Sequence, residues 1–252
     1  PAISDQAMTT EFTLAAADLK ALIENTRFAV STEETRYYLN GIYLHIAEMQ
    51  LLRAVSTDGH RLARSQMDLP GGAESMPSVI VPRKAVGELS KLIDEYEGDV
   101  RIGITDSRAR FTFGSVEVTT KLIDGTFPDY QRVIPTENNN ILQVSSDAFR
   151  QAVDRVSTVS ADKTRSVKMR ISGEVMTLSA SSTDSASGEE TLEVSYNGSD
   201  IEIGYNARYL MDVASQIDGE TIEFALADSA LPTVIRNPGD DANLFVLMPM
   251  RV

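Results

Sequence analysis

Apolar residues recur along the chain at two alternating periods. Thr10 to Leu14 alternates and predicts a strand. Asp18 then opens a helix through about Val30, with Leu19, Leu22, Ile23 and Thr26 on one stripe. Arg36 to Ala47 alternates again, placing Tyr37, Leu39, Gly41, Tyr43 and His45 on one face, with a turn signal at Asn40-Gly41. Leu51 to Thr57 reads as a strand that ends at the Asp58-Gly59 turn. Pro70-Gly71-Gly72 marks a loop, 78–81 a strand, and Pro82 precedes a helix from about Lys84 to Tyr96 with Val86, Leu89, Leu92 and Ile93 inward. Strands follow at 100–105, 108–113 and 116–122.

A stretch rich in turn formers, Asp124 to Asn140, separates this half from a second that repeats the order. Strand 141–145, helix 147–159, strands 167–172, 174–180, 189–197 and 200–204, helix 207–217, and strands 221–227, 232–236 and 243–249 are expected. Sequence echoes run in the same order. Phe12-Thr13-Leu14 is matched by Leu142-Gln143-Val144, and Ser31 to Arg36 by Ser160 to Arg165. Ser56-Thr57-Asp58 is matched by Ser182-Thr183-Asp184, and Val100 to Ser107 by Ile222 to Ser229. The separation shrinks along the chain, as it does when loops change length and elements keep their order. The pattern predicts a leftover linker at 1–9 and two domains, 10–134 and 135–252. Each has an α+β plan with two helices on antiparallel sheets.

Composition narrows the function. The 252 residues contain 42% hydrophobic side chains, enough for a core in each half. There is no apolar run of about 18 residues, so no membrane-spanning helix is expected, and no secretory leader is read. Cysteine is absent, which removes disulfides and thiolate metal sites. A net charge of -14 argues against coating nucleic acid by bulk charge but leaves room for a local basic strip. Basic residues sit at scattered helix positions: Lys20, Arg27, Lys84, Lys91, Arg150, Arg155 and Arg208.

No catalytic signature is present: no GxSxG, no phosphate-binding loop, no GxGxxG after a strand. The two histidines are His45, read as a surface or half-buried strand residue, and His60. Asp58 and His60 share one turn, yet a metal or acid/base site would want further ligands at short spacing, and none follow. No metal and no cofactor are expected. The ending Leu244 to Val252 is apolar, unlike most chain ends. Its first half reads as a strand. Met248, Pro249 and Met250 read as the rim of a groove, because methionine adapts to varied partners and Pro249 stops ladder pairing.

Five segments then carry a resemblance. Arg36-Tyr37-Tyr38-Leu39-Asn40-Gly41, Thr57-Asp58-Gly59-His60-Arg61-Leu62-Ala63, Val81-Pro82-Arg83-Lys84, Phe127-Pro128-Asp129-Tyr130 with Arg132-Val133, and Met248-Pro249-Met250-Arg251 occur in one order across the chain. Together they resemble the bacterial DNA polymerase III β subunit, the sliding clamp family. The resemblance implies the DNA-clamp fold and the second and third of that family's three domains. In the family two chains close head-to-tail into a homodimeric ring around duplex DNA. Because closure there uses the first domain, ring closure is not expected of these two domains alone.

The resemblance further implies a cytoplasmic, bacterial, non-enzymatic processivity factor that holds duplex DNA topologically and without sequence readout. It implies DNA contacts at Arg36, Tyr37, Tyr38, Arg83 and Lys84. The family often carries a glutamine four positions before the first of those tyrosines, where this chain has Glu33. It implies a peptide-binding groove built from Leu39, Thr57, Gly59, His60, Arg61, Leu62, Pro128, Arg132 and Val133, with Asn206, Tyr209, Val246, Leu247, Met248, Pro249, Met250 and Arg251. The implied partners are the replicative polymerase α subunit, the clamp loader and repair polymerases, each through a short linear motif. A repeat scaffold that binds proteins and not DNA is the second reading.

Overall fold

A computed structural model of the chain describes residues 7–159, 166–181 and 186–251. The echoes at Ser160 to Arg165 and Ser182 to Asp184, the start of the expected linker, and Val252 lie outside the described residues. The chain divides into two compact units, Pro1–Pro128 and Asp129–Val252.

The first unit runs β1 (Thr10–Ala15), α1 (Ala16–Arg27), β2 (Gly41–Ala47), β3 (Leu51–Thr57), β4 (Arg61–Asp68), β5 (Val79–Pro82), α2 (Arg83–Asp94), β6 (Asp99–Ile104), β7 (Arg108–Phe113) and β8 (Val116–Lys121). The strands form two antiparallel sheets, ordered β1-β6-β7-β8 and β5-β2-β3-β4. Helices α1 and α2 pack on each other, and α1 also lies on β3 and β4. Their inward stripes, Leu19, Leu22 and Ile23 on one and Val86, Leu89 and Ile93 on the other, share one core with Phe12, Ile102 and Phe111. A helix needs its apolar residues three and four apart to reach such a core, and both helices have that spacing.

The second unit repeats the plan: β9 (Asn140–Ser145), α3 (Ser146–Ser157), β10 (Ser166–Ser172), β11 (Val175–Ser181), β12 (Ser187–Glu193), β13 (Ser195–Tyr196), β14 (Ile201–Asn206), α4 (Ala207–Ala214), β15 (Thr221–Leu226), β16 (Thr233–Arg236) and β17 (Asn243–Leu247). Its sheets are β12-β11-β10-β14 and β13-β9-β15-β16-β17. Apart from the short β13, each unit is therefore strand, helix, three strands, strand, helix, three strands. This is the duplicated α+β architecture that the sequence echoes predicted. Helix α3 starts on Ser145, whose hydroxyl accepts from the Ala148 amide, and α4 starts on Asn206, which accepts from the amides of Arg208 and Tyr209. Both caps satisfy donors that a helix start leaves open.

Two expectations are corrected. The alternation from Arg36 to Ala47 is not one strand. Tyr37–Leu39 form a 3-10 turn, and β2 begins only at Gly41. His45 is buried rather than half-exposed. Strand β2 lies between β3 and β5. Ile42 and Leu44 join the helix-lined core. On the other face the His45 ring stacks on Tyr43 at 4.5 Å, and Tyr43 stacks on Phe127 at 4.8 Å.

Candidate functional site

The turn between β3 and β4 is held almost entirely by its own side chains. Thr57 Oγ1 donates to the Arg61 carbonyl at 2.7 Å and accepts from the Gly59 amide at 3.1 Å. Asp58 Oδ1 accepts from the amides of His60 and Arg61, at 2.9 and 3.0 Å. Its other oxygen takes the Arg61 Nε at 3.1 Å. Short side chains that bond their own backbone two or three residues on are the usual makers of such turns. Arg61 is buried beneath the turn, donating to the Phe28 carbonyl at 2.8 Å with its guanidinium over the Phe28 ring. Gly59 and His60 stand exposed on top.

That arrangement sorts the expected groove residues of the first unit. Gly59 and His60 face solvent, and Thr57 is half-buried. Leu39, Arg61 and Leu62 are buried and offer little surface of their own. With both Asp58 oxygens spent on the turn, Asp58 is no free base for His60. Among the described residues no cluster of three His, Cys, Asp or Glu could hold a metal ion.

Arg36 is engaged within its own unit. Its guanidinium takes both oxygens of Glu33, at 2.8 and 2.7 Å, and donates to the Asp58 carbonyl at 3.0 Å. The other expected DNA residues lie elsewhere. Tyr37, Arg83 and Lys84 line an open depression together with Asn40, Gly87 and Lys91. Tyr38 packs edge-on against Tyr37, and Gly125 passes close to both side chains. Arg83 and Lys84 take no ion pair among the described residues. By contrast Lys20 pairs with Asp94, Arg27 with Glu24, Lys91 with Glu88, Arg150 with Asp147, and Arg155 with Glu190.

In the second unit the C-terminal segment leaves the sheet after Leu247, part-way through the run of expected groove residues. Val246 and Leu247 are still buried in β17, opposite Val234 and Thr233. Met248 is 41% exposed, and Pro249 and Met250 are half-buried. The Met250 amide donates to the Gly204 carbonyl at 2.9 Å, so the segment is tethered beyond the strand. Asn206 spends its side-chain carbonyl on capping α4, and Tyr209 in the first turn of that helix is half-buried. Pro128 and Arg132 are exposed, with Arg132 paired to Asp129 at 2.7 Å, and Val133 is 51% exposed. Sequence reasoning missed the part played by Glu33. Its only signal was a carboxylate three residues before Arg36.

Comparison with known proteins decides the family. The family model for the DNA polymerase III β subunit central domain matches residues 13–129, and that for its C-terminal domain matches residues 131–251. The chain belongs to the β sliding clamp family. The Caulobacter vibrioides β sliding clamp is 46% identical over the whole chain, which spans 68% of that relative, and the Escherichia coli β sliding clamp is 37% identical over the same shares. A Bartonella birtlesii sliding clamp crystallised with griselimycin superposes over the whole chain with a TM-score of 0.97 at 49% identity, covering 68% of that structure. The fold is thus the clamp fold, and the clamp's role is that of a DNA replication accessory subunit rather than a catalyst. Family membership favours the clamp over the protein-only scaffold. A sliding clamp works with DNA, with polymerase and as a dimeric ring. None of the described helices is long and apolar enough to cross a membrane.

Proposed function

We propose that this chain holds duplex DNA without reading its sequence and tethers replication proteins through short linear peptides. The observation that supports the first half is the contrast among its cations. Lys20, Arg27, Lys91, Arg150 and Arg155 are matched to acids, which leaves them little net attraction for phosphate. Arg83 and Lys84 are uncommitted and sit beside the exposed ring of Tyr37. They open α2, whose first turn has no side-chain cap; the Arg83 amide donates to the Asn40 carbonyl at 2.9 Å, and the amides after it favour an anion. Few phosphate contacts on an acidic body give weak, salt-sensitive binding, which suits a protein that must slide.

The second half rests on the rigid Thr57–Leu62 turn and the segment Met248 to Arg251. A peptide carrying a leucine and an aromatic needs apolar wall, and its polar end needs exposed backbone donors and acceptors. Met248 and Met250 supply adaptable apolar surface. Gly59 and His60 supply exposed backbone on a turn that costs little further ordering. We assign Thr57, Gly59, His60, Pro128, Arg132, Val133, Tyr209, Met248, Pro249, Met250 and Arg251 to direct contact, with Leu39, Arg61, Leu62, Asn206, Val246 and Leu247 as support. The polymerase α subunit, the clamp loader and repair polymerases are the partners this reading names, in the bacterial cytoplasm.

A photocrosslinking residue placed at Tyr37 tests the DNA half. It should label duplex DNA at low salt, and the yield should fall steeply as salt rises. Labelling of neither strand at any salt would favour a scaffold that binds proteins alone.

A further inference from the structure

We propose that Glu33 and Arg36 form a clasp that positions the Asp58–Gly59–His60 turn for peptide binding, so that Arg36 serves the peptide site and not DNA. The inference rests on the peptide-binding reading above and adds two residues to it.

The geometry is reciprocal. Gly59 has a φ of +88°, and a Cβ there would stand 2.5 Å from Arg36 Nη1. Only glycine lets the guanidinium come this close, and only glycine adopts that backbone without strain. The guanidinium holds the turn from outside through the Asp58 carbonyl, while Arg61 holds it from beneath through the Asp58 carboxylate. The backbone of the three residues that a peptide would meet is thereby fixed from two sides.

Glu33 is itself anchored. Its amide donates to Ser31 Oγ at 3.1 Å, and its carbonyl accepts from Asn40 Nδ2 at 3.1 Å. Its carboxylate meets Arg36 through two parallel bonds, the geometry in which a guanidinium is most specifically oriented. The hydrogen bond from Arg36 holds the Glu33 carboxyl below the usual carboxylate range. To turn its Nε–Nη2 edge, the one suited to a two-point contact, toward a phosphate, Arg36 would have to give up three hydrogen bonds. Arg83 and Lys84 would give up none that the described residues show.

The test uses this chain with Arg36→Gln, Arg36→Lys and Glu33→Gln. The probe is a fluorescent synthetic peptide bearing a glutamine, a leucine and an aromatic residue. Loss of a charge-assisted hydrogen bond should weaken peptide binding about tenfold in Arg36→Gln. Arg36→Lys keeps the charge but loses the fork and should fall between, as should Glu33→Gln. Amide exchange at Gly59 and His60 should quicken in the same order, and the salt dependence of DNA binding should not change. If the wild type binds and Arg36→Gln binds equally well, the clasp is wrong and the peptide reading stands. If Arg36→Gln lowers the salt dependence of DNA binding and spares the peptide, Arg36 is a phosphate contact. If the wild type does not bind the peptide, the peptide reading fails and the clasp fails with it.

Discussion

The phenol of Tyr205 and the hydroxyl of Thr233 share a hydrogen bond of 2.6 Å, and neither residue has any solvent exposure. Burial pushes the Tyr205 phenol above its ordinary range, so the pair stays neutral. Thr233 faces Leu247 across the ladder, and the neighbour of Tyr205, Gly204, accepts from the Met250 amide. The pair therefore braces the segment from which the apolar C-terminal residues emerge. Tyr205→Phe should cost about 1–3 kcal/mol, because Thr233 keeps a buried hydroxyl with no partner. Chemical denaturation measures it. Adding Thr233→Val should recover part of the loss, since both polar groups are then gone.

Gly59→Ala should be more harmful than its exposed position suggests. The residue must take a positive φ and its Cβ must displace the Arg36 guanidinium. A cost of about 1–2 kcal/mol in stability is expected from the backbone alone. Combining it with Arg36→Ala should remove the clash and leave the backbone cost. Denaturation of the single and double variants separates the two.

Much of the fold is legible in the sequence. The helix stripes around Leu19 and Leu89 have the spacing of buried helices, and the echoed order of elements revealed the duplication. Boundaries were less legible. Helix α1 starts at Ala16, so Asp18 lies in its first turn, where a carboxylate favours the helix dipole without being the cap. The alternation through Tyr37 and Leu39 looked like a strand because a 3-10 turn can also bury one residue and expose the next. The cover over His45 is the Tyr43 ring, itself stacked on Phe127, which is far away in sequence. The site was read from short motifs, and these could not show which residues stand exposed. Arg61 and Arg36 look alike as cations in a sequence. Their partners, Phe28 and Asp58, are brought to them only by the fold.

Arg83→Ala and Lys84→Ala should each flatten the dependence of log affinity for duplex DNA on log salt by up to about 0.9, the value of one phosphate contact. Peptide affinity should not change. Fluorescence anisotropy with a labelled duplex across a salt series measures the slope.

His45 should make stability depend on mild acid. Burial lowers its pKa below the ordinary imidazole value of about 6.5. The unfolded chain therefore binds the proton more readily than the folded one. Stability is fully present above that ordinary value and falls as pH drops below it, levelling off beneath the folded-state pKa. The ring faces Tyr43, the Ile46 carbonyl and the cation Arg53, whose charge also disfavours the protonated form. Thermal midpoints between pH 7 and pH 5 should fall in the wild type and fall less in His45→Phe.

As a clamp, this chain should grip its partners' linear motifs. Titration of the glutamine-, leucine- and aromatic-bearing peptide into the wild type, and into a variant with Met248, Pro249 and Met250 replaced by glycine and serine, tests it most directly. Saturable binding by the wild type, lost in a variant that melts as before, is the expected result. Equal binding by both would contradict the assignment of that segment, and no binding by either would contradict the claim itself.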